Sequence, residues 1–419
     1  MKQLLAISWE MPPLSGPRAV QVTRSLCHLA ALGWHSRVVC FGARSSRYQQ
    51  DYTMSPEVES GGAVRLIKVP SPEEWLLVRV LWRVCPPLKH VPDEKRVWIG
   101  RALAAARRAL AEQPVDVIVS FAQPWSDHLI GLRLNRETGL PWVAHFSDPW
   151  VDSPYRRGAA WQRRVWSRME HDVVAEATRL IFVNQQTADR VMAKYPAAWR
   201  SKARVVPQGF EPCTTPRPAR LARTGPLRVV YTGRFYDGVR TPDALLGALA
   251  LLHQRAPLDG RIHVEFMGGS MERYERRAGR LGLSGVTAFS GRRSPDAARD
   301  AAAAADLLLV IDAPSRGPNL FLPSKLVDYL PLGTPILGVT PAEGATAELL
   351  YRLGYPTVDP SDPEAIAGAL TTLMAAHERG TLAASASHDV VSRPYDIRET
   401  TRVLQVVLDE AVGEAVGRG

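Results

Sequence analysis

Short apolar runs alternate with stretches of helical periodicity along most of this chain, the pattern of parallel sheets wound with helices. Runs at residues 4–8, 36–41, 64–69, 115–120, 142–146 and 180–183 predict the strands of a first sheet. Residues 19–32 and 96–112 predict helices between them, the second rich in Ala and Arg with one apolar face. The pattern restarts after Pro207. Residues 208–226 are dense in Pro, Thr, Arg and Ala and carry little periodicity, so they predict a connection. A second set of strands follows at 227–232, 263–267, 286–289, 307–311 and 335–339, and residues 397–416 predict an amphipathic helix with no strand after it. The expected layout is α/β, with Rossmann-like doubly wound domains at 1–207 and 227–393, a linker at 208–226 and a closing segment at 394–419. Two such sheets are expected to face each other across a cleft, lined by the loops at the strands' carboxyl ends.

Residues 72–89 break the pattern. Trp75, Leu76, Leu77, Val80, Leu81 and Trp82 are interleaved with Arg79, Arg83 and Lys89. Two readings fit: a helix covering the first domain's core, or a peripheral contact with an anionic membrane surface.

Composition narrows the classes. A chain of 419 residues with 46% apolar and 22% charged side chains is folded material, too long for one core. Lys and Arg exceed Asp and Glu by 52 to 42, which suits anionic partners such as nucleotides or lipid headgroups. With no basic arm and no nucleic-acid motif, nucleic-acid binding is not expected. Cys27, Cys40, Cys85 and Cys213 form no CxxC pair, so neither a zinc site nor a disulfide framework is predicted. With no apolar run of spanning length and no signal-peptide pattern at the start, the expected setting is the cytoplasm, with the inner membrane face open as a contact.

Four loops after strands carry candidate chemistry. In the first, Gly16 precedes a helix whose amino end offers free amides and a positive dipole to a phosphate. In the second, Gly233-Arg234 ends a strand and Arg240 follows six residues on, and the planar guanidinium suits phosphate oxygens. The third runs from Pro318 to Leu337. There Ser324 is expected to cap a helix, so that Lys325 and the amide of Leu326 sit at its positive end and Asp328 lies one turn on, placed to accept ribose hydroxyls. The fourth is the strand end at residues 142–150, where His145, Ser147 and Asp148 reach the carboxyl edge; strict alternation sends Asp148 to the opposite side from the other two.

At these segments the chain resembles family 4 of the retaining GT-B glycosyltransferases, in the subgroup whose motif reads Pro-Ser-Lys-Leu-x-Glu-Tyr-Leu-x-x-Gly-x-Pro. The match runs from Pro323 to Pro335, with weaker echoes at Ser15-Gly16, Gly233-Arg234, Met267-Gly268-Gly269 and Val206-Pro207-Gln208-Gly209. The resemblance implies a GT-B fold, a nucleotide-diphosphate sugar as donor substrate, no cofactor and no required metal, and a closing helix that crosses back to the first domain. With it, Gly16, Gly233, Gly268, Ser324, Leu326 and Asp328 are expected to bind the donor, Arg234, Lys325, Asp148 and His145 to be catalytic, Arg240 to stand in for a phosphate-binding lysine that the family has and this chain lacks, and the acceptor to be a sugar or lipid-linked hydroxyl. The chain departs from the family pattern in three places. Leu320 and Asp328 stand where the family has two glutamates, Tyr236-Asp237-Gly238 stands where it has a phosphate-binding lysine, and Ser147-Asp148 replaces a His-Asp pair. Two alternatives stay open: a binding or scaffolding protein that kept the fold without turnover, and a nucleotide-sugar 2-epimerase.

Overall fold

The computed structural model describes residues 1–42, 50, 62–72, 75–212, 225–315 and 317–417. They divide into two compact units, Met1–Gly209 with Ile397–Gly419, and Phe210–Asp396. The first unit holds a seven-stranded sheet made of β1 (Lys2–Ile7), β2 (Trp34–Phe41), β3 (Val64–Val69), β4 (Val117–Ala122), β5 (Trp142–Phe146), β6 (Arg179–Phe182) and β7 (Ala203–Val205). Its order is β3-β2-β1-β4-β5-β6-β7 and every pair is parallel. Helices on both faces explain why the central strands read as unbroken apolar runs: Leu4, Leu5, Ala6 and Ile7 of β1 are all fully buried.

One face of this sheet buries Trp9, Phe41, Trp98, Trp125 and Trp150, with Trp9 stacked on Phe41 at 4.3 Å and Trp125 on Trp150 at 4.9 Å. The other face packs the helix Pro17–Ala31 together with the helix Ile397–Val416. The latter belongs to this unit because Leu404, Val407, Leu408 and Ala411, spaced along one helical face, are buried with Val22, Leu26 and Leu29. Arg179 fixes its end through Glu410 at 2.9 Å and through Glu414.

The second unit holds β8 (Leu227–Thr232), β9 (Ile262–Met267), β10 (Thr287–Gly291), β11 (Leu307–Ile311), β12 (Ile336–Val339) and β13 (Thr357–Val358), in the order β10-β9-β8-β11-β12-β13 and again all parallel. The chain enters this unit at Phe210, whose amide donates to Tyr395 O at 2.8 Å. Residues 213–224 of the expected linker, Cys213 among them, lie outside the described residues.

The eleven predicted strands are present to within two residues at each end; β7 and β13 are the two that were not predicted. Both are edge strands of three and two residues, too short to show a period. In the stretch 72–89, Leu76–Val84 and Pro86–Lys89 are helices, and none of the described side chains from Leu77 to Lys89 is buried. The reading of this segment as a core-covering helix is therefore corrected. Among the described residues, no helix is long and apolar enough to cross a membrane.

Candidate functional site

Each sheet reverses its strand order at one point, between β1 and β4 in the first and between β8 and β11 in the second. Ligands of open α/β sheets bind outside the carboxyl ends of the strands at such a reversal. The sequence-predicted residues gather at these two places.

In the second unit β8 runs into Thr232-Gly233-Arg234. Gly233 has φ +132°, a conformation that side-chain-bearing residues avoid. A Cβ on the facing Gly268 would stand 2.0 Å from Gly233 O, so only glycine lets these two loops touch. Gly238, at φ +70°, closes a tight turn in which the backbones of Tyr236 and Arg240 pair in both directions at 2.8 Å. The turn brings Arg240 back, so that its Nη2 donates to Arg234 O at 3.1 Å and its guanidinium lies 5.0 Å from the Tyr236 ring. Arg234 itself is exposed, with its Cγ passing Gly269.

Lys325 comes into the same place from the helix Ser324–Tyr329. Its Nζ lies 3.6 Å from the centroid of the Tyr231 ring, is buried, and has no hydrogen-bond partner among the described residues. The absent Cβ of Gly233 gives it room, since an added one would stand 2.4 Å from Nζ. Burial, reinforced by Arg240, holds the amine well below the usual lysine pKa, and Asp312 opposes that shift. A buried cation without an acceptor is costly, and an anion entering here would supply one.

The helix start differs from expectation in two respects. Pro323, in extended backbone, is the N-cap, and Ser324 is already helical and makes no side-chain cap. The Leu326 amide donates to Pro323 O at 2.9 Å, so it is not free for a ligand; the amides of Ser324 and Lys325 precede it. The physical reason is the proline's fixed φ, which suits an extended cap and moves the helix start by one residue. Asp328 is exposed on this helix. Tyr329 anchors it to β8, its hydroxyl lying 2.9 Å from both the amide and the hydroxyl of Thr232.

A buried network that the sequence reading missed holds the preceding loop. Asp312, just past β11, accepts from Asn319 Nδ2 at 2.8 Å and Thr340 Oγ1 at 3.0 Å, while Asn319 Oδ1 accepts from the Phe321 amide at 3.1 Å. Gly344 packs so tightly on Asn319 that a Cβ would stand 2.2 Å from its carbonyl oxygen. Asn319 thus fixes the approach of Leu320 and Pro323 to Lys325. The only sequence signal was a carboxylate at the end of an apolar strand and an Asn after Pro318.

In the first unit Arg18 is the centre. Its Nη2 donates to Ala122 O at the end of β4. Burial draws its pKa down to about 10, and Asp148, Glu10 and Asp127 act in the opposite direction. Asp148 accepts from Ser147 Oγ at 3.1 Å and Gln123 Nε2 at 3.2 Å, and burial raises its pKa against the pull of Arg18. Ser147 and Asp148 therefore meet rather than diverge, because β5 ends at Phe146 and alternation stops there. His145 carries a buried Nδ1 without a partner among the described residues, and burial lowers its pKa well below the usual value.

Gly16 is the N-cap of Pro17–Ala31, and the place expected to receive a phosphate holds the protein's own carboxylate. Glu10 accepts from the Ala19 amide, and its Oε2 would stand 2.3 Å from a Cβ on Gly16. Behind it, fully buried Asp127 accepts from the Trp9 amide at 2.8 Å, and burial raises its pKa well above the usual carboxylate value. Neither Glu10 nor Asp127 was among the sequence-predicted residues.

Comparison with known proteins gives two domain matches. Residues 18–209 match the glycosyl transferase 4-like domain, and residues 226–376 match glycosyl transferases group 1. No curated protein sequence matches the chain. Among solved structures, sucrose-phosphate synthase from Thermosynechococcus elongatus superposes with a TM-score of 0.68 at 16% identity, covering 97% of this chain and 98% of that one. WaaG, a glycosyltransferase involved in lipopolysaccharide biosynthesis, gives 0.60 at 16% identity over 97% and 98%. A point mutant of S. aureus TarM, in complex with fondaparinux, alpha-GlcNAc-glycerol and UDP, gives 0.66 at 7% identity over 97% and 100%. At these identities the likeness is one of fold.

Proposed function

Because this chain carries the two domains of a GT-B glycosyltransferase, we propose that it moves a glycosyl group from a nucleotide-diphosphate sugar to an acceptor hydroxyl, with retention and without a metal. The acceptor oxygen forms the new bond to the anomeric carbon, the bond from that carbon to the diphosphate breaks, and the hydroxyl proton leaves with the nucleotide product. The difficulty is the negative charge that grows on the leaving diphosphate, which fixed donors stabilise best.

We assign that task to Arg234, Arg240 and Lys325, with the amides of Ser324 and Lys325, around the glycine contact of Gly233 and Gly268. Asp328 takes the ribose hydroxyls; in the first unit His145 and Asp148 are assigned to the acceptor, while the helix start at Gly16 is already occupied by the Glu10 carboxylate. The observation that carries the reading is the Lys325 amine, buried beside Gly233 with no acceptor of its own among the described residues. The acceptor we propose is a sugar or lipid-linked hydroxyl in glycoconjugate assembly, at the cytoplasmic face of a membrane.

Thermal-shift screening of UDP, GDP, dTDP and their sugars tests the donor, because a ligand that binds only the native state raises the melting temperature. TarM with UDP bound makes UDP-sugars the first to try. One nucleotide series is expected to stabilise the protein and its sugar to be hydrolysed slowly; silence across all three refutes the reading. Retention is read from the anomeric configuration of the first-formed product by NMR. Leu320, where the family has a glutamate, motivates the second reading of a binding protein, and donor binding with no nucleotide release at any acceptor would favour it. Removing one donor to a developing oxyanion costs roughly 100 to 1000 fold in rate, and Arg234→Ala and Lys325→Ala are each expected to do so with the fold intact.

A further inference from the structure

We propose that residues 77–89, with the start of the helix Ala160–Glu176, form the surface by which this protein lies on an anionic lipid bilayer. The helix Leu76–Val84 turns an apolar stripe to water: Leu77 is 80% exposed, Val84 71%, Val80 50% and Leu81 45%. At about 100° per residue these four side chains fall within roughly a third of the helix circumference. Half-buried Val78 and Trp82 lie on a different side, and exposed Arg79 and Arg83 lie beside the stripe. Exposed apolar residues scattered singly need no explanation, but a contiguous stripe with a basic flank marks a contact surface.

The arm is firmly held at its base. Gln162 Nε2 donates to Pro87 O at 2.8 Å, Trp166 Nε1 donates to His90 O at 3.0 Å, and Arg156 lies 4.0 Å from the Trp166 ring. At its other end Trp75, 52% exposed, stacks against Arg101 at 4.6 Å. The Gln162 anchor also sets exposed Trp161 and Arg163 next to the arm. Exposed tryptophans and arginines around an apolar stripe are the composition of a membrane-interface helix.

Charge selects the occupant. From Trp75 to His90 the sequence has Arg79, Arg83 and Lys89 and no Asp or Glu; Glu73 and Glu74 precede this stretch, and among the described residues Glu94 lies 2.9 Å from Lys89. In a two-fold contact between copies, Arg79 and Arg83 would approach their own equivalents, whereas an anionic headgroup layer complements them. The proposal stands on the arm alone and is independent of the donor assignment.

The test is flotation of the full chain with vesicles of equal parts phosphatidylcholine and phosphatidylglycerol, against pure phosphatidylcholine. The expected result is binding to the mixed vesicles at low salt that weakens as salt rises. Leu77→Asp with Val84→Asp is expected to abolish it, and Arg79→Gln with Arg83→Gln to weaken it by about 25-fold, each cation near such a surface contributing about fivefold. These side chains are largely exposed, so melting temperature and slow donor hydrolysis are expected to stay unchanged. The proposal is overturned if the wild type stays with the unbound protein at low salt, if it binds neutral vesicles equally well, or if the aspartate pair floats like the wild type. It is also overturned if the aspartate pair instead dissolves a dimer in light scattering.

Discussion

Replacing Lys325 by Met separates what the residue costs the fold from what it gives the ligand. In the free protein its Nζ is buried over the Tyr231 ring with no acceptor among the described residues. A buried polar group left unsatisfied costs about 1 to 3 kcal/mol, and Met offers a chain of similar length and flexibility without that penalty. Lys325→Met is therefore expected to stabilise the second unit by about 1 to 3 kcal/mol, and a domain of this size gains about 2 to 4 °C per kcal/mol.

The pH dependence adds a second signature. The amine's pKa is lowered in the folded state, so between that value and the ordinary lysine value the unfolded chain binds a proton that the folded chain does not. Stability then rises with pH across this window, up to about 10.4, and the variant should lose that slope. All eleven tryptophans precede residue 200, in the first unit, so their fluorescence does not report on this change. Calorimetric scans at pH 7 and 9, with hydrogen exchange of the β8 and β11 amides, do report on it. If Lys325→Met lowers the stability of these strands or keeps the wild-type pH slope, the amine has a native partner and is not held unpaired.

Three further outcomes follow from the geometry. Gly268→Ala puts a Cβ 2.0 Å from the Gly233 carbonyl oxygen, and since backbone must move by about an ångström, kcat/KM should fall by about 100-fold, measured with the donor found by screening. Asn319→Ala removes a side-chain donor to buried Asp312 and the acceptor for the Phe321 amide, and urea unfolding followed by far-ultraviolet circular dichroism should show a loss of about 1 to 3 kcal/mol. Burial raises the Asp127 pKa well above the usual carboxylate value, which favours the neutral form, so Asp127→Asn should cost under about 1 kcal/mol at pH 7 while Asp127→Ala, which leaves the Trp9 amide unpaired, should cost about 1 to 3 kcal/mol; equal losses would contradict this.

Much of the fold was legible because strands such as β1 and β11, buried on both faces, read as unbroken apolar runs bounded by turn residues. The edge strands β7 and β13 were not, since so few residues carry no period. In the second unit the sequence marked the loops through Gly233, Arg234 and the Ser-Lys start of a helix, but left unresolved where side chains go. That Arg240 returns to Arg234 depends on a turn closed by Gly238, and that the Lys325 amine is buried depends on a missing Cβ two loops away. Glu10 was invisible for a similar reason: it lies six residues before its helix, and only the folded loop brings it to the Ala19 amide. Long-range polar contacts leave no periodicity, so the residues that position a site are harder to read than those that fill a core.

The central claim is that the second unit holds a nucleotide diphosphate with Lys325 as a cationic ligand, and calorimetric titration of UDP, GDP and dTDP into the wild type and Lys325→Met tests it most directly. The account predicts saturable binding of at least one nucleotide to the wild type and a loss of roughly 100-fold in affinity in the more stable variant. Equal affinity in the two proteins, or heat from none of the three nucleotides, would contradict it.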